Sequence, residues 1–281
     1  MKKISMPEAD ISKVEKFIED VQALFPNHNV NINNVNDFSL MYEERRNCMK
    51  CKGLASCKNN EVGYLLSCND KDEFSLEPCK YKKEEVQKRN SLIKTLYLPD
   101  GILNASLESF DTNSESRKKI YQEIVKNMGQ DTITKGLYLY GNFSKGKTFT
   151  LAVIANELAK KGLSSLLIYF PDLVLDLKNA LGTPRFEELV NMLKDIDILM
   201  LDDLGSENMT PWLRDEILGP VINYRLMDHK PLYISSNLNP EELIQHLSIN
   251  GTDALKATRI STRLAALAVN VNMDDSKTYK R

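Results

Sequence analysis

Between Gly136 and Val271 the chain alternates short apolar runs with longer stretches of helical period. The apolar runs are Gly136–Tyr140, Ser165–Phe170, Asp197–Leu201, Leu232–Ser236 and Ala266–Val271, and helical patterns fit between them at 147–161, 172–194 and 211–228. Runs this short and continuously apolar predict strands buried on both faces. Helices between them predict right-handed crossovers and hence a parallel sheet. The expected fold class is α/β with about five parallel strands, an architecture whose strand ends bind nucleotides.

The N-terminal part reads differently. Residues 11–25 set Ile11, Val14, Phe17, Ile18, Val21 and Leu24 on one helical face, and Asn27 to Asn36 is Asn-rich and turn-like. A charged stretch runs from Lys80 to Arg89, followed by Leu92–Leu98 and a loop at Pro99-Asp100-Gly101. Residues 114–128 predict an amphipathic helix with Ile120, Ile124 and Val125 on its apolar side. This change of character predicts an N-terminal domain over 1–85, a linker over 86–114 and a nucleotide-binding domain over 115–281.

All five cysteines, Cys48, Cys51, Cys57, Cys68 and Cys79, lie within that first domain. The chain opens on Met1-Lys2-Lys3 and soon adds Glu8, Asp10 and Lys13, so no signal peptide is expected, and no apolar run approaches a bilayer span. The expected setting is the cytoplasm, away from membranes. Disulfides need an oxidising compartment, and an odd cysteine count leaves one thiol over. Cys48-Met-Lys-Cys51 is a CxxC knuckle able to place two thiolates on a tetrahedral Zn²⁺, with Lys50, Lys52 and Lys58 to offset the charge. A structural zinc over 48–79 is therefore expected, held by four of the five cysteines; reduced thiols or an iron–sulfur cluster are the alternatives. The three histidines, His28, His229 and His246, all fall outside this segment.

The sharpest motif is Gly141-Asn-Phe-Ser-Lys-Gly-Lys-Thr148, which has an apolar strand before it and a helical pattern after it. Gly141 and Gly146 let the backbone curl so that the N–H groups of Asn142, Phe143, Ser144 and Lys145 can turn toward phosphate oxygens. The following helix adds its positive N-terminus. Lys147 is expected to reach the β- and γ-phosphates of ATP or ADP, and Thr148 to offer its hydroxyl to Mg²⁺. One β-α unit on, the run Asp197–Leu201 ends in Asp202-Asp203. Asp202 is expected to hold Mg²⁺ and Asp203 to polarise the attacking water, with a helix N-cap as the bland alternative. Asn237 ends the next apolar run and can orient that water, or simply make a turn before Asn239-Pro240. Arg259 and Arg263 share one helix face, either in local ion pairs or reaching a neighbour's γ-phosphate.

These segments, together with Thr210-Pro-Trp-Leu-Arg-Asp-Glu-Ile-Leu-Gly-Pro220, Ile234-Ser-Ser-Asn-Leu238 and Ala257-Thr-Arg-Ile-Ser-Thr-Arg263, resemble the AAA+ helicase loaders of bacterial replication, the DnaI/DnaC type. The resemblance covers 90–281 well and the cysteine segment loosely. It implies an AAA+ fold, a Mg²⁺-dependent ATPase that is slow and partner-stimulated, and delivery of a hexameric replicative helicase onto single-stranded DNA. It implies that the N-terminal domain docks on the helicase and binds zinc, and that protomers associate through the ATP site. By position Asn237 corresponds to sensor 1, and Arg259 and Arg263 fall at the arginine-finger motif. The last sensor arginine of the family has only Lys280 or Arg281 as counterparts. The family's zinc segment carries a histidine where this one has none, so Cys48, Cys51, Cys68 and Cys79 is as good a set as one with Cys57. The alternatives to a loader are a transposition-type ATPase acting with a transposase, or a weakly hydrolysing adaptor built around the zinc module.

The charge balance, 37 Lys and Arg against 39 Asp and Glu, excludes a whole-molecule electrostatic grip on DNA. Any DNA contact is thus confined to a local groove, with Lys160, Lys161, Lys178 and Arg185 as candidate cations and Tyr169 and Phe170 as candidate stacking rings.

Overall fold

The computed structural model describes residues 8–99, 105–249 and 253–278, with backbone alone for 8–11. The counterparts of the last sensor, Lys280 and Arg281, lie outside the described residues. The chain forms two compact units that divide between Lys88 and Arg89.

In the first unit, helices α1 (Glu8–Leu24) and α2 (Val35–Met49) pack beside an antiparallel hairpin, β1 (Tyr64–Cys68) and β2 (Phe74–Pro78). The Asn-rich stretch is a turn because its side chains bind nearby backbone: Asn34 Oδ1 accepts from Asn31 N–H and Asn31 Oδ1 from Asn33 N–H. A small core of Val21, Phe25, Val30, Val35, Phe38 and Met41 lies between the helices, with Leu66, Cys68 and Phe74 of the hairpin packed on it. The predicted stripe of α1 is wider than this contact, so Phe17 and Leu24 stay exposed. Glu44 of α2, buried, accepts the Leu66 N–H at 2.6 Å and so ties helix to hairpin. Helix α3 (Lys80–Ser91) carries the chain out of the hairpin.

The second unit opens with β3 (Ile93–Leu96) and α4 (Glu115–Gly129), followed by β4 (Gly136–Tyr140), α5 (Lys147–Lys160), β5 (Ser165–Tyr169), α6 (Phe170–Asn179), α7 (Pro184–Asp195) and β6 (Ile198–Asp202). A π-helical stretch, Leu213–Leu218, then leads into α8 (Gly219–Met227), β7 (Leu232–Ser236), α9 (Pro240–Leu247), α10 (Ala254–Leu267) and β8 (Ala268–Asn272). The strands form one sheet in the order β3-β5-β6-β7-β4-β8, and every pair is parallel. Alternate strand residues face opposite cores, which explains the unbroken apolar runs. Leu137, Leu139, Leu167 and Met200 pack with Ile120 of α4 and Leu151 of α5. Leu166, Ile168, Leu199, Leu201 and Ile234 pack with Leu173 of α6, Leu193 of α7 and Ile222 of α8.

Three expectations need correction. The sheet has six strands among the described residues, because part of the expected linker, Ile93–Leu96, pairs with β5 at the sheet edge. Only Ile93 of that strand is buried, so no sustained apolar run marked it. The helix expected over 172–194 is two helices, broken where Gly182 takes φ 78° and Pro184 starts α7. The helix expected over 211–228 holds a π-helical segment just before Gly219-Pro220, where proline offers no N–H to the α-helical ladder.

Arg225 of α8 is fully buried in this unit. Its guanidinium donates to the carbonyls of Ile196, Asp197 and Pro231 at 2.8–2.9 Å and to Leu193 at 3.1 Å, and burial pulls its pKa down to about 10. It thereby caps the end of α7 and holds the starts of β6 and β7 together, the two strands whose far ends carry Asp202 and Asn237.

Candidate nucleotide site and cysteine cluster

The C-terminal ends of β4, β6 and β7 lie side by side, and the predicted site residues project from them. After β4 the loop 141–146 takes positive φ at three residues, and glycine fills two of them: Gly141 has φ 136° and Gly146, at the N-cap of α5, φ 79°, while Ser144 has φ 58°. A side chain at Gly141 would meet the Asp274 carboxylate at 2.8 Å. Lys147, buried, donates from Nζ to the carbonyls of Gly141 and Asn142 at 2.7 and 2.8 Å and to Asn237 Oδ1 at 2.8 Å. Burial lowers the Lys147 pKa, and Asp203, Asp202 and Asp274 oppose that shift.

Thr148 Oγ1 donates to both Asp202 oxygens, at 2.8 and 3.0 Å, and Ser235 Oγ donates to Asp202 Oδ1 at 2.5 Å. Asn237 Nδ2 donates to Asp203 Oδ1 at 2.9 Å, so Asn237 joins Asp203 to Lys147. Asp203 itself sits at φ 61°, with its N–H on Ser235 Oγ at 2.9 Å. The Asp202 carboxyl is pushed above the usual carboxylate range, first by burial, against the bonds from Ser235 and Thr148. A buried carboxylate beside a threonine hydroxyl is a hard oxygen donor set that suits Mg²⁺.

The raised Asp202 value has a stability consequence. The folded state holds that proton more tightly than the unfolded chain, so the site's stability is greatest below the unfolded carboxylate range and is lost as pH rises through the folded pKa. Once ionised, the buried side chain is a cost that a bound cation would remove. Asp202→Asn is therefore expected to raise the melting temperature of the nucleotide-free protein at pH 7 and to flatten its fall between acid and neutral pH. Thermal melts across that pH range, without nucleotide, check this.

These groups line a cavity of about 1040 Å³ that also takes in Phe143, Ser144, Lys145, Tyr169 and Asp172. Sequence reasoning missed Asp274, which accepts from the Asn142 N–H at 2.7 Å and its Nδ2 at 2.9 Å and so braces the loop. It also missed Arg117 of α4, whose Nη2 donates to the Lys145 carbonyl at 2.9 Å. Neither lies in a motif; each reaches the loop from a distant part of the chain.

Arg259 and Arg263 do not enter this cavity. They stand on α10 and line a separate one of about 570 Å³ with Asp215, Glu216 and Lys256. Arg214, fully buried, positions that face: it donates to Asp215 Oδ1 at 2.6 Å and the Leu247 carbonyl at 3.1 Å and pairs with Asp253 at 3.0 Å, while Lys256 meets Asp215 at 2.7 Å. Most of the candidate DNA cations are engaged locally. Lys160 pairs with Glu157 at 2.7 Å, Lys161 donates to the Asn127 carbonyl at 3.1 Å and Arg185 pairs with Asp176 at 2.6 Å; Phe170 is buried. Lys178 is exposed and Tyr169 lines the nucleotide cavity.

In the first unit, Cys48, Cys51, Cys57 and Cys79 line one cavity of about 220 Å³. Cys48 and Cys51 flank the end of α2, Cys57 follows a 3-10 turn at Leu54–Ser56, and Cys79 follows β2, its N–H bonded to the Gly63 carbonyl at 2.8 Å. Burial, and then the neighbouring sulfurs of Cys79, Cys51 and Cys57, push the Cys48 thiol up. Four free thiols around one small cavity make a soft donor set that suits Zn²⁺. Cys68 closes β1 on the side of the small core and takes no part in lining this cavity.

Residues 82–280 match the model of the family described as IstB-like ATP binding protein. The chain is 38% identical over 243 residues to the replicative helicase loader DnaI of Bacillus subtilis, covering 83% of this chain and 78% of that one. The chain belongs to this ATP-binding family, on its DnaI branch. The replicative helicase loader DnaC of Escherichia coli K12 is 28% identical over 119 residues, 41% of this chain and 48% of its own. The crystal structure of DnaI superposes with a TM-score of 0.61 at 38% identity, over 65% of this chain and 97% of that one. AMPPCP-bound DnaA of Aquifex aeolicus, at 21% identity and TM-score 0.51 over 63% of this chain, shows the same AAA+ fold. Among the described residues, no helix is long and apolar enough to cross a membrane.

Proposed function

We propose that this protein is an ATP-dependent loader that delivers a hexameric replicative helicase onto single-stranded DNA. What carries the reading is the meeting of Lys147, Thr148, Asp202, Asp203 and Asn237 at three adjacent strand ends, in a chain 38% identical to a helicase loader. The loop amides and Lys147 bind the phosphate tail, Lys147 exchanging its carbonyl partners for phosphate oxygens. Thr148 and Asp202 would hold Mg²⁺, which when bound neutralises charge on the β- and γ-phosphates. Asp203 accepts a proton from the attacking water, and Asn237, fixed to both Asp203 and Lys147, orients that water. Arg259 and Arg263 complete the site of a neighbouring protomer, so turnover depends on self-association.

In the first unit, Cys48, Cys51, Cys57 and Cys79 hold a structural zinc, and the folded unit docks on the helicase. A transposase-linked ATPase is not favoured, because the relative covering 83% of the chain is a helicase loader. With the cognate helicase and circular single-stranded DNA, wild-type protein plus ATP is expected to yield DNA-bound hexamer and Asp203→Asn to yield none beyond the loader-free background. Loading by Asp203→Asn equal to wild type would favour a non-hydrolysing adaptor.

A further inference from the structure

Cys68, the cysteine outside the four-thiol cavity, is not alone. His28 Nδ1, Cys68 Sγ and an Asp72 carboxylate oxygen all lie within 4.8 Å of one another. They come from three separate places: the turn after α1, the end of β1 and the turn of the hairpin. His28 Nδ1 is 2.7 Å from Asp72 Oδ1 and 3.9 Å from Cys68 Sγ, so thiol and carboxylate converge on the same ring nitrogen.

We propose that His28, Cys68 and Asp72 form a second metal site, for a borderline divalent cation of the zinc class. A sulfur, an imidazole nitrogen and a carboxylate oxygen are the three donor types that such an ion takes together. Around tetrahedral zinc, bonded N and O lie about 3.3 Å apart and N and S about 3.6 Å. The N–O pair therefore opens by about 0.6 Å and the N–S pair closes by about 0.3 Å, shifts within rotamer reach. On binding, Cys68 loses its thiol proton to solvent, and His28 carries its remaining proton on Nε2, leaving Nδ1 for the metal.

The surroundings prepare this geometry. Phe25 and Phe38 flank the His28 ring, with centroids 6.4 and 5.3 Å away. Asp72 is held at φ 60° by a turn in which Asn69 Oδ1 accepts from both Lys71 and Glu73 N–H, and its second oxygen accepts from Asn29 N–H at 3.2 Å. That outer bond orients the carboxylate as partners of metal ligands do. The His28 and Asp72 side chains keep 21% and 28% exposure, which leaves an entry path and a fourth position for water. A histidine–aspartate hydrogen bond alone would need no thiol at the same nitrogen.

The test is cobalt binding by the full-length apo protein, by equilibrium dialysis and absorption. Cys68→Ser and Asp72→Asn are each expected to lose one cobalt per chain, and Cys68→Ser to lose part of the thiolate-to-cobalt band in the near ultraviolet. Cys51→Ser reports on the four-cysteine cavity and is expected to keep the cobalt that the other two lose. Both test substitutions are nearly isosteric, and circular dichroism verifies their fold. Cobalt binding by Cys68→Ser and Asp72→Asn equal to that of wild type would overturn the proposal. Failure of the four-cysteine reading shows separately, as wild type and Cys51→Ser binding the same amount.

Discussion

Lys147→Ala is expected to cut ATP turnover by at least about 100-fold, the scale lost when one preorganised donor to a developing charge is removed. The effect should fall on binding as well as on rate. In the structure the ammonium group already points at the loop mouth, where the Gly141 and Asn142 carbonyls and Asn237 hold it. Removing it takes away the positive charge that faces the phosphates and leaves Asn237 without one of its two anchors. The fold should survive, since Lys147 packs at the start of a helix that Leu151, Ala152 and Ala155 fix in the core. Steady-state turnover with helicase and single-stranded DNA present, beside a circular dichroism spectrum, checks both halves. Turnover equal to wild type in a folded variant would remove the site assignment.

The second large effect concerns the proposed completion of the ATP site by a neighbouring protomer. Arg259→Ala with Arg263→Ala is expected to leave ATP binding intact and lower turnover by about 10³-fold, the lower end for loss of an arginine finger. The reason is geometric: these arginines line a cavity apart from the one that holds Lys147 and Asp202. On the proposed function a neighbour supplies them, across a head-to-tail interface. Mixing this double variant with Lys147→Ala in equal amounts should then restore activity. In random assembly about one site in four pairs an intact Lys147 with an intact arginine face, so about a quarter of wild-type turnover should return. Two inactive variants that stay inactive together would place the arginines in local structure instead.

The phosphate loop was legible because its backbone dictates residue type. Left-handed conformations at 141 and 146 call for glycine, and a strand before and helix after are visible as a change of apolar period. Asp202, Asp203 and Asn237 were legible as polar residues ending apolar strands. Ser235, Asp274 and Arg117 were not, since each meets the site only through the sheet order or a distant segment, and no local pattern records that. Strand β3 escaped notice because an edge strand with one buried residue has no apolar run to show. The cysteine spacing left Cys57 and Cys68 equivalent. What separates them is the β1–β2 hairpin, which puts Cys68 at the end of β1 beside His28 and leaves Cys79, after β2, with the other three.

The most direct test is equilibrium binding of ATP to the full chain, with and without Mg²⁺. The geometry at Lys147, Thr148 and Asp202 predicts uptake of one nucleotide per chain, tighter with magnesium, and no such magnesium dependence in Asp202→Asn. No uptake of ATP in the presence of magnesium, or magnesium dependence that persists in Asp202→Asn, would contradict it.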